Sequence, residues 1–301
     1  MVRRKLPKSS SLAVTTLPLF EAAKRRVRDQ VATAPSPKLE SVKPVHEWVS
    51  TGLVSVDEAM RGGFPVGGLS LMASKPQVGV NSLLMGAVLA NLENGLGVGY
   101  FSERLREDQI RGRMVVLKSK VNGYRFRAGV VTDEDHKKLD QARAAIAWSR
   151  MLIRSEREIS LRELDSDIFN YHPRLVVADL RPKGTNHSNP KSFECLTRGL
   201  EELAFIAARD NISIVVRCIL PKGPGEPDRL ELPGLGTVVN LFDSVAFLHR
   251  ERGAPGGDEE KGANLAQVKV IRVGKRDVGP RYVNLHFDQR YSGLKEISPE
   301  S

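Results

Sequence analysis

The chain has 301 residues, 41% hydrophobic and 27% charged, with 46 Lys/Arg against 36 Asp/Glu for a net charge of +10. That is enough for one large α/β domain with a tail, or for two small domains, in a water-soluble protein. No apolar run approaches the roughly 20 residues a membrane helix needs, and no apolar core follows the basic N-terminus, so neither a membrane span nor a secretory signal is expected.

Residues 1–45 carry ten Lys/Arg against three Asp/Glu, while the rest of the chain carries 36 against 33. Most of the excess charge is therefore N-terminal, where it either attracts phosphate backbones by counterion release or serves as a solubility tail. Met1–Ser11 is basic and Ser-rich. Leu17–Val31 places Leu19, Phe20, Ala23, Val27 and Val31 at roughly helical spacing beside Lys24, Arg25, Arg26 and Arg28. Three prolines between Ala32 and Pro44 read as a linker. The predicted division is a basic tail, 1–45, and a domain, 46–301.

From Ser50 onward apolar strands alternate with amphipathic helices. Leu69–Ala73 is a short buried strand, followed by a loop and a helix over Asn81–Glu93. Gly97–Ser102 is a strand and Glu107–Lys118 a helix. Thr132-Asp133-Glu134-Asp135 is a capping-box start for a helix running to about Trp148. Strand Leu152–Arg154, helix Leu161–Tyr171, strand Leu175–Asp179, helix Phe193–Arg209 and strand Ile212–Cys218 follow. Ser244–His249, Gln267–Val273 and Arg281–Phe287 are further strands. This alternation predicts an α/β fold: a mostly parallel sheet with helices on both faces and a C-terminal hairpin edge. Ligands of such sheets bind at the carboxyl ends of the strands, where the loop, Glu103 and Asp179 should meet. Cys195 and Cys218 are expected as free thiols, and the six histidines show no metal-ligand spacing, so no structural metal is expected.

The loop Ser74-Lys75-Pro76-Gln77-Val78-Gly79-Val80-Asn81 has the outline of a phosphate-binding loop. In its working form, small-x-x-x-x-Gly-Lys-Ser/Thr, the lysine reaches the outer phosphates and the hydroxyl ligates magnesium. Gly79 is kept, but Val80 stands at the lysine position and Asn81 at the hydroxyl position. Backbone amides at the helix N-terminus still favour an anion. Two readings follow: nucleotide binding without efficient hydrolysis, or a relic turn that binds none. Lys75 either substitutes for the missing lysine or is an ordinary basic loop residue, and the second reading is favoured. ATP and Mg2+ are thus weak expectations. Asp179 ends an apolar strand, as an outer-sphere partner of magnesium or as a helix or turn cap. Glu103 is a water-orienting base or a salt-bridge partner of Arg104 or Arg106. Two further loops, Arg181–His187 with Lys183 and Lys191, and Lys222–Gly225 with Arg229, are rich in basic residues and glycine. They suit a single-stranded phosphate backbone or are simply solvated, and neither holds an aromatic for base stacking.

The order of these features over about 240 residues resembles the C-terminal RecA-type motor domain of the DnaB-type replicative helicases. Thr51-Gly52-Leu53 to Asp57 and Gly62–Gly67 resemble the lead-in to the loop. Phe101-Ser102-Glu103 with Gln109-Ile110 and Arg113-Met114 resembles the segment after the second strand. Arg125–Gly129, Thr132–Asp135 and Lys138-Leu139 are the most specific match, because RecA proper lacks them. Leu175–Asp179 resembles the Walker B strand, Leu232–Arg250 a segment leading to a strand that ends in arginine, and Gln267–Phe287 the closing hairpin. The resemblance implies catalytic roles for Glu103, Asp179 and Arg276, the last as an arginine finger given to a neighbouring subunit.

There are also departures. The family's glutamate position, two residues after the serine, is Arg104. A polar sensor would fall near Ile219. The family's N-terminal helical domain is replaced by the basic tail, whose Leu17–Val31 segment resembles a linker helix that docks on an adjacent subunit through Leu19, Phe20 and Val27, or else is a basic helix that binds duplex DNA or an acidic partner through Lys24, Arg25, Arg26 and Arg28. These features imply a helicase paralogue with a degenerate nucleotide site. It would act as a DNA-binding or assembly subunit in DNA replication or recombination, cytoplasmic and nucleoid-associated. It would pair with itself or with a competent helicase. The alternatives are an ATP-dependent helicase or RecA/RadA-like ATPase with an unconventional loop, and a regulator that binds a partner helicase.

Overall fold

The computed structural model describes residues 47–180, 190–221, 226–227, 238–250 and 264–297, without the side chains of 190–196 and 238. The chain order is β1 (Trp48–Val49), α1 (Val54–Ala59), β2 (Phe64–Pro65), β3 (Leu69–Ser74), α2 (Val80–Glu93), β4 (Val98–Ser102), α3 (Glu107–Ser119), α4 (Gly123–Arg127) and α5 (Asp133–Ala145). There follow β5 (Met151–Ser155), α6 (Leu161–Tyr171), β6 (Leu175–Asp179), α7 (Pro190–Asp210), β7 (Ser213–Ile219), β8 (Ser244–Arg250), β9 (Leu265–Val273), β10 (Arg276–Asp288) and β11 (Gly293–Glu296).

Nine strands form one sheet in the order β11-β10-β9-β8-β3-β7-β6-β4-β5. β3 through β8 run parallel, and β9, β10 and β11 close the sheet antiparallel. The expected architecture is therefore present, including the hairpin edge. β3 is buried at every position, as a central parallel strand covered on both faces must be. β9 alternates buried and half-buried residues, because it packs hard on one face only.

The two faces carry separate apolar clusters. One holds α2 and α3, with Leu84, Val88, Ile110 and Met114 fully buried. The other holds α6 and α7, with Leu164, Ile168, Leu203 and Ala207. α2 is apolar almost all round because it lies under α3 and β11 as well as on the sheet. Thr132 caps α5, and Thr132 and Asp135 exchange hydrogen bonds at 3.2 Å in both directions, so the capping box forms. The helix stops at Ala145, short of Trp148, which opens a 3-10 turn over Trp148–Arg150.

Because β3, β4, β6, β7 and β8 are parallel, their carboxyl ends share one edge. Ser74, Ser102, Asp179, Ile219 and Arg250 stand there. β10 returns to the same edge and ends in Asp288. That carboxylate accepts the Arg290 backbone N–H and Nε, both at 3.1 Å, and Nη2 at 2.7 Å, fixing the turn that carries Tyr291.

Arg290 pulls the Asp288 carboxyl down from 3.8 to about 2. A depressed carboxylate pKa adds stability above the unfolded value, and that stability is lost as pH falls through the folded one. Asp288→Asn should therefore cost about 1 kcal/mol at neutral pH, discounted because Arg290 is exposed. It should also flatten the loss of stability below about pH 4, as read by denaturation at stepped pH.

Candidate functional site

The loop after β3 is held by its neighbours. Ser74 O accepts the Leu220 N–H at 2.9 Å, tying the loop to the end of β7. The Ser74 hydroxyl donates to Lys75 O at 3.0 Å. Gln77 (φ +64) and Gly79 (φ +118) take the left-handed turn that starts α2. A Cβ at Gly79 would lie 2.8 Å from the Phe287 ring, so only glycine fits. Arg250 lies over Phe287 at 4.0 Å and donates to Gln77 O at 3.2 Å. This bracing keeps the bend of a phosphate-binding loop. Val80 is 3% exposed and belongs to the core. Lys75 is itself buried against the protein.

The decisive residue at the edge is Asp179, which is fully buried. Its Oδ2 accepts the Ser102 hydroxyl at 3.1 Å. Its Oδ1 receives Arg217 Nη1 and, at 3.3 Å, Arg104 Nε. Burial raises its pKa, while Arg217, Ser102 and Arg104 oppose that rise. The Ser102 hydroxyl also accepts the N–H groups of Arg104 (3.2 Å) and Leu105 (3.0 Å), so it positions the very arginine that pairs with Asp179. Arg104 occupies the sequence position expected for a catalytic glutamate.

Glu103 lies beside this cluster, its N–H donating to Asp179 O at 3.2 Å. Its side chain is 6% exposed and accepts the Ile159 N–H at 2.8 Å. The sheet edge thus brings the loop, Glu103 and Asp179 together, as predicted. It does not bring Arg276. That residue is exposed at the start of β10, beside the Gly274–Lys275 turn. The Lys275 N–H donates to Asp243 O and the Asp243 N–H to Leu69 O, which places the turn at the opposite edge of the sheet. Lys24, Arg25, Arg26, Arg28, Arg181, Lys183, Lys222 and Arg229 lie outside the described residues, as does the side chain of Lys191.

A cavity of about 530 Å³ opens between the start of α2, α3, α4 and the β10–β11 turn. Arg113, Arg127 and Arg217 line it, with Phe126, Phe287 and Tyr291. Most of these residues were missed in the sequence. Arg217 alone left a clear signal: a charged residue inside the apolar strand Ser213–Ile219.

A family model for the DnaB-like helicase C-terminal domain matches residues 48–296. The chain belongs to that family. The replicative DNA helicase DnaC of Bacillus subtilis is 22% identical over 256 residues, covering 81% of this chain and 55% of the relative. The replicative DNA helicase DnaB of Geobacillus stearothermophilus is 23% identical over 261 residues, with the same coverage. The chain thus spans about half the length of these relatives. Among solved structures, a DnaB-like replicative helicase studied with primase superposes with a TM-score of 0.74 at 18% identity, covering 93% of this chain and 72% of that one. An ATPase domain gives 0.73 at 18% identity, over 93% of this chain and 99% of that one. These structures share the fold of this DnaB-like domain, and so does the RadB recombinase at 0.56, 17% identity, and 83% and 100% coverage.

The residues present do not fit magnesium-ATP. The lysine and hydroxyl positions hold Val80 and Asn81, and the carboxylate that would face the metal is held by guanidinium groups. Among the described residues, no group of three His, Cys, Asp or Glu is placed to hold a metal ion.

Removing one partner of a buried pair strands the other charge. Arg217→Met should cost about 3–5 kcal/mol in urea unfolding, and Asp179→Asn/Arg217→Met should recover most of it.

Proposed function

We propose that this DnaB-like domain is a helicase paralogue whose nucleotide site is degenerate, serving DNA replication or recombination as a DNA-binding or assembly subunit. The observation that carries this reading is the pairing of Asp179 with Arg104 and Arg217. Phosphoryl transfer depends on positioned cations and on a group that orients the nucleophile. Here the loop lysine is a buried valine, the expected metal-facing carboxylate is neutralised from within, and the expected catalytic glutamate is an arginine bonded to that carboxylate. Loss of even one stabilising donor commonly lowers kcat about 10²- to 10³-fold, and here several are replaced together.

Without turnover, what remains for the domain is binding. Arg276, at the sheet edge opposite the loop, is free to reach a second chain, so a competent helicase or another copy of this protein is the fitting assembly partner. The N-terminal charge supplies attraction to single-stranded DNA.

The test is ATP hydrolysis with magnesium and single-stranded DNA. Wild type and Asp179→Asn should both show no turnover. Val80→Lys/Asn81→Thr should fail to restore it, because Arg104 and Arg217 still hold Asp179. Magnesium-dependent turnover by wild type, lost in Asp179→Asn, would overturn the reading. For the DNA role, alanine at Lys24, Arg25, Arg26 and Arg28 should weaken single-strand binding and flatten its dependence on salt, since each phosphate contact adds about 0.7 to the slope. An unchanged slope counts against it.

A further inference from the structure

We propose that the groove between α2, the end of α3 and β11 docks an acidic peptide of a partner protein, with a bulky apolar side chain seated in the groove and carboxylates on its lysine rim. The groove is a second cavity, of about 410 Å³, lined by Leu53, Leu83, Leu89, Leu117 and Leu294. Its floor is open at Gly86, where an added Cβ would meet no atom within 4 Å. Glycine inside a helix is less favourable than alanine, so this gap is kept at the expense of α2. Gly52 closes on the same turn, its Cβ position lying 3.1 Å from Gly86 O.

The rim is cationic. Lys118, Lys120 and Lys295 stand on it, and its one carboxylate, Glu93, is already held by Lys118. Lys295 has Asp288 at 3.5 Å, but Arg290 holds that carboxylate more closely, at 2.7 Å. Lys120 makes no ion pair among the described residues. It ends α3 in the left-handed conformation (φ +57), a place that ordinarily goes to glycine or asparagine. The rim thus carries more positive charge than its surroundings cancel, and an acidic ligand is its complement. Tyr291 adds a second polar signal: its hydroxyl is buried in the lining and has no hydrogen-bond partner. Lys295 lies 5.2 Å from the Tyr291 ring centroid, near enough for Tyr291 to raise its pKa. A buried hydroxyl beside an ammonium suits a carboxylate, which accepts from both.

Charge and shape together select the occupant. The chain's own Leu17–Val31 segment would bring Lys24, Arg25, Arg26 and Arg28 against the three lysines. Nucleic acid would meet the lysines and leave the leucine floor unused. An acidic peptide with an aliphatic or aromatic anchor uses both: the anchor fills the pocket, and the charged rim sets its orientation. The groove shares no residue with the Asp179 cluster, so its occupancy is independent of nucleotide binding and turnover.

The test is fluorescence anisotropy of the full chain with a short fluorescein-labelled peptide of Asp and Glu residues that ends in Leu and Phe. Two control peptides replace the acidic residues by Lys, or the Leu and Phe by Ser. The acidic apolar peptide should bind, more weakly as salt is raised, and neither control should. Gly86→Leu fills the groove from open space and should abolish binding with an unchanged circular dichroism spectrum. Lys120→Asn/Lys295→Gln, which keeps the left-handed turn, should weaken it about tenfold. No binding of the acidic apolar peptide, equal binding of either control, or unaffected variants would each overturn the proposal. A wild type that ignores the peptide, but whose self-association in sedimentation is lost in Gly86→Leu, would assign the groove to a second copy and overturn it as well.

Discussion

A carboxylate at the end of a fully buried strand must be neutralised where it stands. Asp179 is such a group, and the identity of its counter-charge decides what the surrounding edge can do. In a working phosphate-binding loop the local cations are a lysine and magnesium. In this chain they are Arg217, from the neighbouring strand, and Arg104, from the turn after β4. An unpaired charge at that depth costs several kcal/mol, so Asp179 depends on these two arginines. A guanidinium stays a cation across the whole working pH range, so the pairing does not depend on its protonation.

The rest of the edge follows from this substitution. With valine at the lysine position, packing braces the loop: Phe287 closes on Gly79, and Arg250 stacks on Phe287 and holds Gln77 O. Phe287 comes from the antiparallel half of the sheet and Arg250 from the strand that borders it, so that half maintains the bend made by the parallel half. The same C-terminal strands carry Asp288, whose bonds to Arg290 set the turn with Tyr291 in the cavity wall.

Much of the fold was legible because periodicity and caps are local signals. The sequence boundaries of α6 and β6 coincide with the structure, and Thr132 with Asp135 marked the start of α5. Short elements escaped. α1, α4 and β11 span four to six residues, too few for a period to declare itself. In the site, the missing lysine could be read directly, because Val80 stands in a fixed pattern. The ion pairs could not, since Arg104, Arg217 and Asp179 come from three separate strand ends and meet only through sheet order. Glu103 shows the same limit: its carboxylate is bonded to Ile159, more than fifty residues away in the chain.

The most direct test of the central claim is nitrogen-15 NMR of the arginine side chains during a magnesium titration with ATP present. The Arg217 guanidinium signals should be protected from exchange, shift in Asp179→Asn, and stay in place as magnesium is added. Release of those signals by magnesium, with the spectrum moving toward that of Asp179→Asn, would show that the metal displaces the arginine and would contradict the account.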